Sequence, residues 1–300
     1  MVTLPTPLQE ISHPILKEQA LQVFVKRDDQ IHAEIMGNKW RKLKYNLQHA
    51  FEGGYEGLLT MGGAFSNHIA ATAAAAFDNG LKSIGIIRGD ELNTNSNATL
   101  QFASEKGMQL RFVTREQFRN WRENTDEIVK RYPAYFFLPE GGTNAAAIEG
   151  CQEIVSEIEM DFDIIACPVG TGGTVCGLIS SISSGQKVLG FSALKGEFMT
   201  DEVQNLLREH QLSEGKYEIV HAYHFGGYAK TTSQLIDFIN WFKETFGIQL
   251  DPIYTGKCFF GVWDMIKSNK FEKNLRIVLL HTGGLQGIEG FNRKNANIIQ

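Results

Sequence analysis

Thr60-Met61-Gly62-Gly63-Ala64-Phe65-Ser66-Asn67-His68 is the stretch of this 300-residue chain that decides its fold. It joins an apolar run, residues 58–61, to an alanine-rich stretch, residues 69–77. A short apolar run that ends at a glycine pair is typical of a buried strand, and the alanine-rich stretch is typical of a helix. The sequence therefore predicts a strand, a tight turn and a helix in direct succession.

The same alternation extends over the whole chain. Further apolar runs predict strands at residues 83–87, 110–113, 135–138, 164–167, 188–191, 219–222 and 277–280. Helices are predicted between them at residues 145–158, 174–182, 234–246 and 260–268. Short buried strands that alternate with helices indicate an α/β fold with mostly parallel, twisted sheets flanked by helices.

The order of these elements predicts two closely packed domains. Residues 51–151 are expected to form a small α/β domain, and residues 1–50 with 152–300 a large one. A ligand cleft is then expected between them, at the carboxyl ends of strands.

Composition and charge exclude several functional classes. Hydrophobic residues make up 43% of the chain, charged residues 21%, and the net charge is -5, which argues against a nucleic-acid-binding protein. No signal-peptide pattern opens the chain, and no apolar run approaches the ~20 residues of a membrane span. We expect a cytoplasmic protein. The four cysteines lack metal-ligand spacing, so we expect reduced, structural thiols and no metal site.

Gly37-Asn38-Lys39-Trp40-Arg41-Lys42-Leu43 predicts a basic helix start capped by Asn38. Lys39 and Lys42 are three residues apart and share one helix face. Crowding by Arg41, Lys42 and the helix dipole is expected to lower the pKa of Lys39, which favours the neutral amine that Schiff-base chemistry needs. The alternative interpretation is a solvated basic surface.

Two glycine turns are predicted to bind a small anion. Ser66 and Asn67 stand at a helix start, where free N–H groups attract negative charge, although both are also common helix caps. The loop Gly170-Thr171-Gly172-Gly173-Thr174 follows a strand and opens a helix. Val175 breaks the dinucleotide-binding pattern and the Walker spacing is absent, so a single phosphomonoester is the better candidate, with a plain turn as the alternative.

Three further segments place hydroxyl groups near strand or helix ends. Tyr228 lies in a loop that follows a predicted strand, Tyr254 precedes a helix, and Thr282 ends the last strand. A tyrosine hydroxyl on a loop can serve as acid, base or carboxylate ligand. More often such tyrosines pack with one end in solvent.

Six blocks of sequence, in order, resemble one enzyme family. They are Val25-Lys26-Arg27-Asp28-Asp29, Gly37 to Leu43, Gly63 to His68, Gly170 to Thr174, Asp251 to Lys257 and His281 to Gly284. The family is that of 1-aminocyclopropane-1-carboxylate deaminases and D-cysteine desulfhydrases, pyridoxal-phosphate enzymes of fold type II related to the tryptophan synthase β chain. The resemblance spans nearly the whole chain.

The resemblance implies a role for each matching residue. Lys39 would hold pyridoxal 5'-phosphate covalently and later move protons at the substrate's Cα. Asn67 would bind the 3-hydroxyl of the ring, and Ser66 would contact the substrate carboxylate or assist proton transfer. Tyr254 would stack near the cofactor and touch the substrate, with Tyr228 as the second tyrosine. The cofactor phosphate would be bound by Lys42, Gly170, Thr171, Gly172, Gly173 and Thr174.

Two departures from the family pattern bear on the substrate. The cyclopropane deaminases carry a glutamate where this chain has Thr255, and a glutamine where it has Phe65. Thr255, with Thr282 as another hydroxyl partner, would leave the pyridine nitrogen unprotonated and weaken the electron sink. This favours α,β-elimination from a small D-amino acid over ring opening.

The expected reaction converts D-cysteine to pyruvate, ammonia and sulfide. The alternative is deamination of 1-aminocyclopropane-1-carboxylate to 2-oxobutanoate and ammonia. Other β-substituted D-amino acids, a serine racemase activity and, outside this class, a non-catalytic phosphate-binding α/β protein remain open. The resemblance also implies a homodimer with a small amino-acid substrate.

Overall fold

A computed structural model describes residues 1–293 and 298–300. Within these residues the chain forms ten strands: β1 (Leu8–Ile11), β2 (Gln22–Lys26), β3 (Gly57–Gly63), β4 (Lys82–Arg88), β5 (Gln109–Val113), β6 (Tyr135–Leu138), β7 (Ile164–Val169), β8 (Lys187–Ser192), β9 (Lys216–Val220) and β10 (Arg276–Leu280).

Twelve α-helices lie between and around these strands within the same described ranges. They are α1 (Pro14–Glu18), α2 (Asn38–Glu52), α3 (Asn67–Asp78), α4 (Ala98–Glu105), α5 (Arg115–Glu123), α6 (Thr125–Arg131), α7 (Ala145–Ser156), α8 (Gly173–Ser181), α9 (Met199–Glu209), α10 (Ser233–Phe246), α11 (Thr255–Lys267) and α12 (Gly287–Asn292).

The strands form two sheets. The larger has the order β1-β2-β10-β7-β8-β9, and the smaller has the order β5-β4-β3-β6. Every neighbouring pair is parallel except β1 and β2, which run antiparallel at one edge. The predicted α/β fold with mostly parallel sheets is confirmed.

The central strand of the larger sheet explains why its sequence is apolar without alternation. All six residues of β7 are buried, because apolar clusters cover both faces of the sheet. Phe242 and Phe259 belong to the cluster on one side, and Ile148 and Leu178 belong to the other. A strand between two helical layers has no polar face, so its side chains are apolar throughout.

The order of the strands fixes the position of a cleft. In the larger sheet, β7 lies between β8, which is the next strand along the chain, and β10, which is the last strand. β3 stands in the same way between β4 and β6. Such reversals of strand order leave a crevice at the carboxyl ends of the strands, and the loops that follow β3, β6, β7 and β10 line one common cleft.

Both predicted domain boundaries fall inside helices. Residues 57–138 supply all four strands of the smaller sheet. The boundary expected between residues 151 and 152, however, falls inside α7, which packs against α2 and α8. The boundary expected between residues 50 and 51 likewise falls inside α2. Because a single packed helix is not divided between domains, we propose boundaries after Glu52 and ahead of Ala145 instead.

The cap of helix α2 lies one residue earlier than predicted, so the helix begins at Asn38. Gly37 occupies the cap position with φ 59°, and a Cβ there would lie 2.0 Å from the carbonyl oxygen of Thr282. Only glycine fits this left-handed, crowded position. The cap predicted at Asn38 is therefore wrong: its side-chain amide donates to Thr174 Oγ1 at 2.8 Å, which ties the start of α2 to the start of α8.

No helix in the described part of the chain is long and apolar enough to cross a membrane.

Candidate active site

The cleft between the two sheets brings most of the predicted site residues together. Its walls include Lys39, Lys42, Ser66, Asn67, Gly170, Thr171, Gly172, Thr174, Tyr228, Tyr254 and Thr282. Two predicted residues, Gly173 and Thr255, are not on its surface. Elements that are far apart in the sequence therefore converge on Lys39, as the motif order implied.

Lys39 projects from the first turn of α2 into this cleft. Burial, and to a smaller extent the charge of Lys42, together lower the pKa of its amine from 10.5 to about 7. The expected contribution of Arg41 is absent, because that guanidinium is paired with Asp28 and Glu157. An amine with a pKa near neutrality can act both as a nucleophile and as a proton acceptor.

This pKa predicts how covalent attachment of an aldehyde depends on pH. The neutral fraction of the Lys39 amine should rise from roughly a tenth at pH 6 to roughly nine-tenths at pH 8. We expect the initial rate of borohydride-trappable pyridoxal-phosphate attachment to the apoprotein to rise several-fold over this interval, with a midpoint near 7. A midpoint near 10 would show that the amine is not perturbed.

Lys42 occupies an unusual environment for a buried cation. Its side chain is 2% exposed, and its amine donates to Gly141 O at 3.1 Å, Thr143 Oγ1 at 3.1 Å and Thr171 Oγ1 at 3.4 Å. Among the described residues no carboxylate pairs with it, whereas the buried Lys26 and Arg41 both pair with Glu157. A buried ammonium without a counter-charge is costly, so this arrangement is suited to a bound anion.

The loop after β7 is shaped to bring backbone N–H groups close to that anion. Gly172 caps α8 with φ 83°, a conformation that favours glycine. A Cβ on Gly173 would lie 3.1 Å from Lys42 Nζ, and one on Gly170 would lie 3.0 Å from the ring of Tyr254. The backbone, the N-terminus of α8 and Lys42 thus form a phosphate cradle that side chains would fill. These residues fit the phosphate of pyridoxal 5'-phosphate, with Lys39 in reach of the same cleft.

The position of Lys42 in this cradle predicts what happens when its positive charge is removed. Lys42→Met keeps the unbranched side chain as far as Cε and removes the amine with its charge. We expect pyridoxal phosphate to bind about 10- to 100-fold more weakly, since a hydrogen bond to a charged group contributes about 1.5–3 kcal/mol. Equilibrium titration of the apoprotein measures this. Pyridoxal, which lacks the phosphate, should bind both proteins with similar affinity; equal weakening for both ligands would contradict the assignment.

Ser66 and Asn67 lie where the sequence predicted, at the start of α3. Ser66 Oγ caps the helix by accepting from the N–H of Ile69 at 3.4 Å, and it also lines the cleft. The capping and functional interpretations are therefore compatible. Asn67 is the first residue of α3 and faces the turn at Gly284, where a Cβ would lie 3.2 Å from its Nδ2 atom.

His68, the next residue, was not assigned a role from the sequence. Its ring is 1% exposed and lines the cleft, and among the described residues neither ring nitrogen has a hydrogen-bond partner. Burial, with the charges of Lys39 and Lys42, holds the pKa of this imidazole well below its usual value. A neutral ring with two free nitrogens is thus available to a group bound in the cleft.

Thr255 has a different environment from the one expected. Its hydroxyl donates to Asp251 Oδ2 at 2.6 Å and accepts from the N–H of Asp251 at 2.9 Å. Asp251 also accepts from the N–H groups of Ile253 and Tyr254, each at 2.8 Å, so this pair shapes the start of α11. The predicted contact between Thr255 and a cofactor ring stays a prediction. Of Thr255 and Thr282, only Thr282 lies on the cleft wall.

The two predicted tyrosines meet at the mouth of the cleft. The rings of Tyr228 and Tyr254 stand edge to face, with centroids 6.2 Å apart. Burial raises the pKa of both hydroxyls, which keeps them protonated as hydrogen-bond donors at neutral pH.

Lys257 tethers the loop that carries Tyr228. Its side chain is 1% exposed, and its amine donates to His224 O at 2.9 Å and to Gly227 O at 2.7 Å. Because Lys257 follows Tyr254 by one helical turn on α11, it fixes the second tyrosine relative to the first.

We expect Lys257→Met to loosen this loop without removing any residue from the cleft wall. KM for the amino-acid substrate should rise about tenfold, as expected from the loss of hydrogen bonds to a charged donor, while cofactor affinity stays unchanged. Steady-state kinetics and cofactor titration measure the two quantities. Lys267→Met, at the exposed end of the same helix, is the control; identical kinetics for both variants would contradict the tether.

Several residues that line the cleft or support its walls were given no such role from the sequence. Thr143 lies in a glycine-rich turn to which the sequence analysis gave no role, and Asn38 was interpreted as a cap. Asp251 and Lys257 were quoted within a motif without a role of their own. No metal site was predicted, and within residues 1–293 and 298–300 no group of three or more His, Cys, Asp or Glu side chains could hold a metal ion.

Comparison with known proteins tests the resemblance independently. A family model described as pyridoxal-phosphate dependent enzyme matches residues 1–283. A Pyrococcus horikoshii protein with the provisional name 1-aminocyclopropane-1-carboxylate deaminase is 31% identical, over 100% of this chain and 95% of that protein. The Arabidopsis thaliana bifunctional D-cysteine desulfhydrase/1-aminocyclopropane-1-carboxylate deaminase, mitochondrial, is 29% identical over 95% of this chain and 77% of that protein.

A solved structure agrees with these sequence matches. The crystal structure of an "ACC deaminase homologue" superposes with a TM-score of 0.84 and 29% identity, and covers 98% of this chain and 93% of its own. Fold type II, the cofactor pyridoxal 5'-phosphate and an enzymatic lyase or deaminase role are thereby confirmed, and a non-catalytic phosphate-binding protein is excluded. The chain belongs to the pyridoxal-phosphate-dependent enzymes of the 1-aminocyclopropane-1-carboxylate deaminase and D-cysteine desulfhydrase family.

Proposed function

We propose that this enzyme catalyses α,β-elimination of a small D-amino acid, with D-cysteine as the substrate. The substrate loses the proton from Cα and thiolate from Cβ, and water then replaces the amino group, which gives pyruvate, ammonia and sulfide. When bound, the cofactor supplies an aldehyde for the amino group and an aromatic ring that accepts electrons from Cα.

Residues of the chain are suited to the remaining functions, which are proton transfer, orientation of the substrate and hydrogen-bond donation. The amine of Lys39, with a pKa of about 7, is suited to take the proton from Cα. Ser66 and the N-terminus of α3 are suited to orient the substrate carboxylate, since helix N-termini attract anions. Tyr228 and Tyr254 cover the opening of the cleft, where their hydroxyls are in a position to donate to the substrate or its leaving group.

One observation carries the choice of elimination. Among the described residues, no aspartate or glutamate lines the cleft, and Thr282 supplies a neutral hydroxyl on its wall. A carboxylate next to the pyridine nitrogen would keep that nitrogen protonated, whereas a neutral hydroxyl leaves it unprotonated. An unprotonated ring is the weaker electron sink, which is sufficient when thiolate is the leaving group and unfavourable for opening an unactivated ring.

The alternative is deamination of 1-aminocyclopropane-1-carboxylate. The names of the Pyrococcus horikoshii and Arabidopsis thaliana relatives support it, and the bifunctional relative combines both reactions in its name. Phe65 on the cleft wall, in place of the family's glutamine, is the observation against it.

Product analysis of the purified holoenzyme separates the two reactions. We expect sulfide and pyruvate from D-cysteine, and little 2-oxobutanoate from the cyclopropane acid at the same concentration. If only the cyclopropane acid is converted, the argument from the neutral cleft wall fails. L-cysteine and both enantiomers of serine complete the panel and measure stereochemical preference.

We also propose a cytoplasmic homodimer, on the basis of the family resemblance. The small amino-acid substrate is consistent with the names of the relatives. Sedimentation of the purified holoenzyme tests the assembly: a mass near twice 33.6 kDa is expected, and a mass of one chain would contradict it.

A further inference from the structure

A second cavity, beside the cofactor cleft, is lined by four arginines. It has a volume of about 620 Å³ and opens where the smaller sheet ends, which is within the size range of small-molecule sites. Arg88, Arg115, Arg119 and Arg122 face it together with a single acidic residue, Glu91. The chain as a whole is acidic, with a net charge of -5, so this concentration of positive charge is local.

The fold creates the cluster from two elements. Arg88 is the last residue of β4, at the carboxyl edge of the parallel sheet, which is where ligands bind in α/β folds. The other three arginines lie on α5 at spacings of four and three residues, so they project from one helix face. Phe118, on the same helix, lies beneath them and is 2% exposed.

The positive charge is only partly balanced. Arg115 forms an ion pair with Glu91. The NH1 atom of Arg122 lies 3.7 Å from Oε2 of Glu140. Among the described residues, neither Arg88 nor Arg119 has an ion pair with a carboxylate. The guanidinium of Arg88 instead lies over the Phe118 ring, with its carbon 5.7 Å from the centroid.

This cavity adjoins the cofactor cleft. Phe65 lines both spaces. Burial raises the pKa of the Tyr228 hydroxyl, and the positive charge of Arg88 partly opposes this rise. Arg88 is therefore close enough to act electrostatically on the mouth of the cleft. The rest of the cavity wall near Phe65 is small or apolar, with Gly63, Ala64 and Leu92.

We propose that this cavity is a second ligand site, which binds a small molecule through a carboxylate, sulfonate or phosphate group. Arg88 and Arg119 bind the anion directly, because planar guanidinium groups donate paired hydrogen bonds to such groups. Phe65 and Leu92 contact the less polar part of the ligand. The anion is either the far end of an acidic amino-acid substrate or a separate small anion, and in both cases the recognising chemistry is the same.

Calorimetric titration of the holoenzyme with inorganic phosphate and with malonate tests the proposal. The cofactor is kept bound so that its own phosphate fills the loop from Gly170 to Thr174. We expect saturable binding that weakens with added salt, and a loss of roughly tenfold in affinity for Arg88→Gln and for Arg119→Gln. Arg208→Gln, an exposed arginine on α9 that bonds only to neutral oxygens among the described residues, should bind like the wild type.

Two results would overturn the proposal: no saturable binding of either probe to the holoenzyme, or equal affinities in all three variants. Thermal unfolding midpoints check that the variants remain folded.

Kinetics then identify the source of the anion. If the anion belongs to the substrate, Arg119→Gln lowers kcat/KM for a β-sulfonated or β-carboxylated amino acid but not for D-cysteine, and malonate competes with the acidic substrate. If the anion is a separate ligand, malonate binds without competing and Arg119→Gln abolishes its effect on the rate. Either pattern supports the site, and an unchanged response of both substrates and of malonate contradicts it.

Discussion

Lys39→Ala should abolish D-cysteine turnover, with kcat/KM at least about 10³-fold below that of the wild type. The variant lacks both the amine that holds the cofactor and the group that accepts the Cα proton, and each function contributes a large factor to the rate. The phosphate cradle is intact, because Lys42 and the loop after β7 are unchanged. The variant should therefore still bind pyridoxal phosphate, but borohydride should not fix it.

Lys44→Ala is the matched control. Lys44 lies on the same helix but pairs with Glu153 at the protein surface instead of facing the cleft. Its turnover should stay within about twofold of the wild type, since exposed ion pairs contribute little to stability. Substantial turnover by Lys39→Ala would assign the chemistry to another residue.

Arg41→Ala should destabilise the fold more than any other single change considered for α2. The Arg41 guanidinium is fully buried and holds Asp28 through Nε at 2.6 Å and Glu157 through NH1 at 2.8 Å. Its removal leaves a buried carboxylate unpaired, which costs about 3–5 kcal/mol of unfolding free energy. Because α2 carries Lys39 and Lys42, part of the cofactor affinity should be lost as well. Denaturant unfolding of the apoprotein measures the stability change.

The pH dependence of this effect follows from Glu157. Burial alone would raise the pKa of this carboxyl, but hydrogen bonds from Arg41 and Lys26 lower it from 4.5 to about 2. A depressed carboxyl pKa stabilises the folded state above pH 4.5, and that stabilisation is lost as the pH falls from 4.5 towards 2. The stability difference between wild type and Arg41→Ala should therefore shrink in this window. A constant difference would show that Glu157 is not the relevant partner.

The strands that the sequence predicted with the best agreement are the most buried ones, whereas the predicted strand at residues 219–222 overlaps only the end of the more exposed β9. Runs such as β7 and β10 are apolar throughout because helices cover both sides of the sheet. β1 and β2 were both missed. β1 is a short edge strand with polar residues, and β2 is a five-residue strand with Gln22 and Lys26 at its ends. Helix α5 was missed because its arginine-rich sequence carries only Phe118 and Trp121 as buried residues.

The sequence predicted those features of the site that follow from a local motif. It did not predict those that depend on tertiary contacts. The Lys39 and Lys42 pair could be placed on one helix face from spacing alone. The pKa of Lys39, in contrast, depends mainly on burial by surrounding chain, which no local pattern contains. Thr255 illustrates the same limit: its partner Asp251 is only four residues away, yet the turn that directs its hydroxyl inwards depends on the packing of α11.

Peptide mapping after borohydride reduction of the wild-type holoenzyme tests the central claim most directly. The account predicts that a single peptide carries the reduced cofactor, attached to Lys39, and that the label disappears when D-cysteine displaces the protein amine before reduction. A cofactor fixed on Lys42 or Lys257, or a protein that takes up no pyridoxal phosphate, would contradict it.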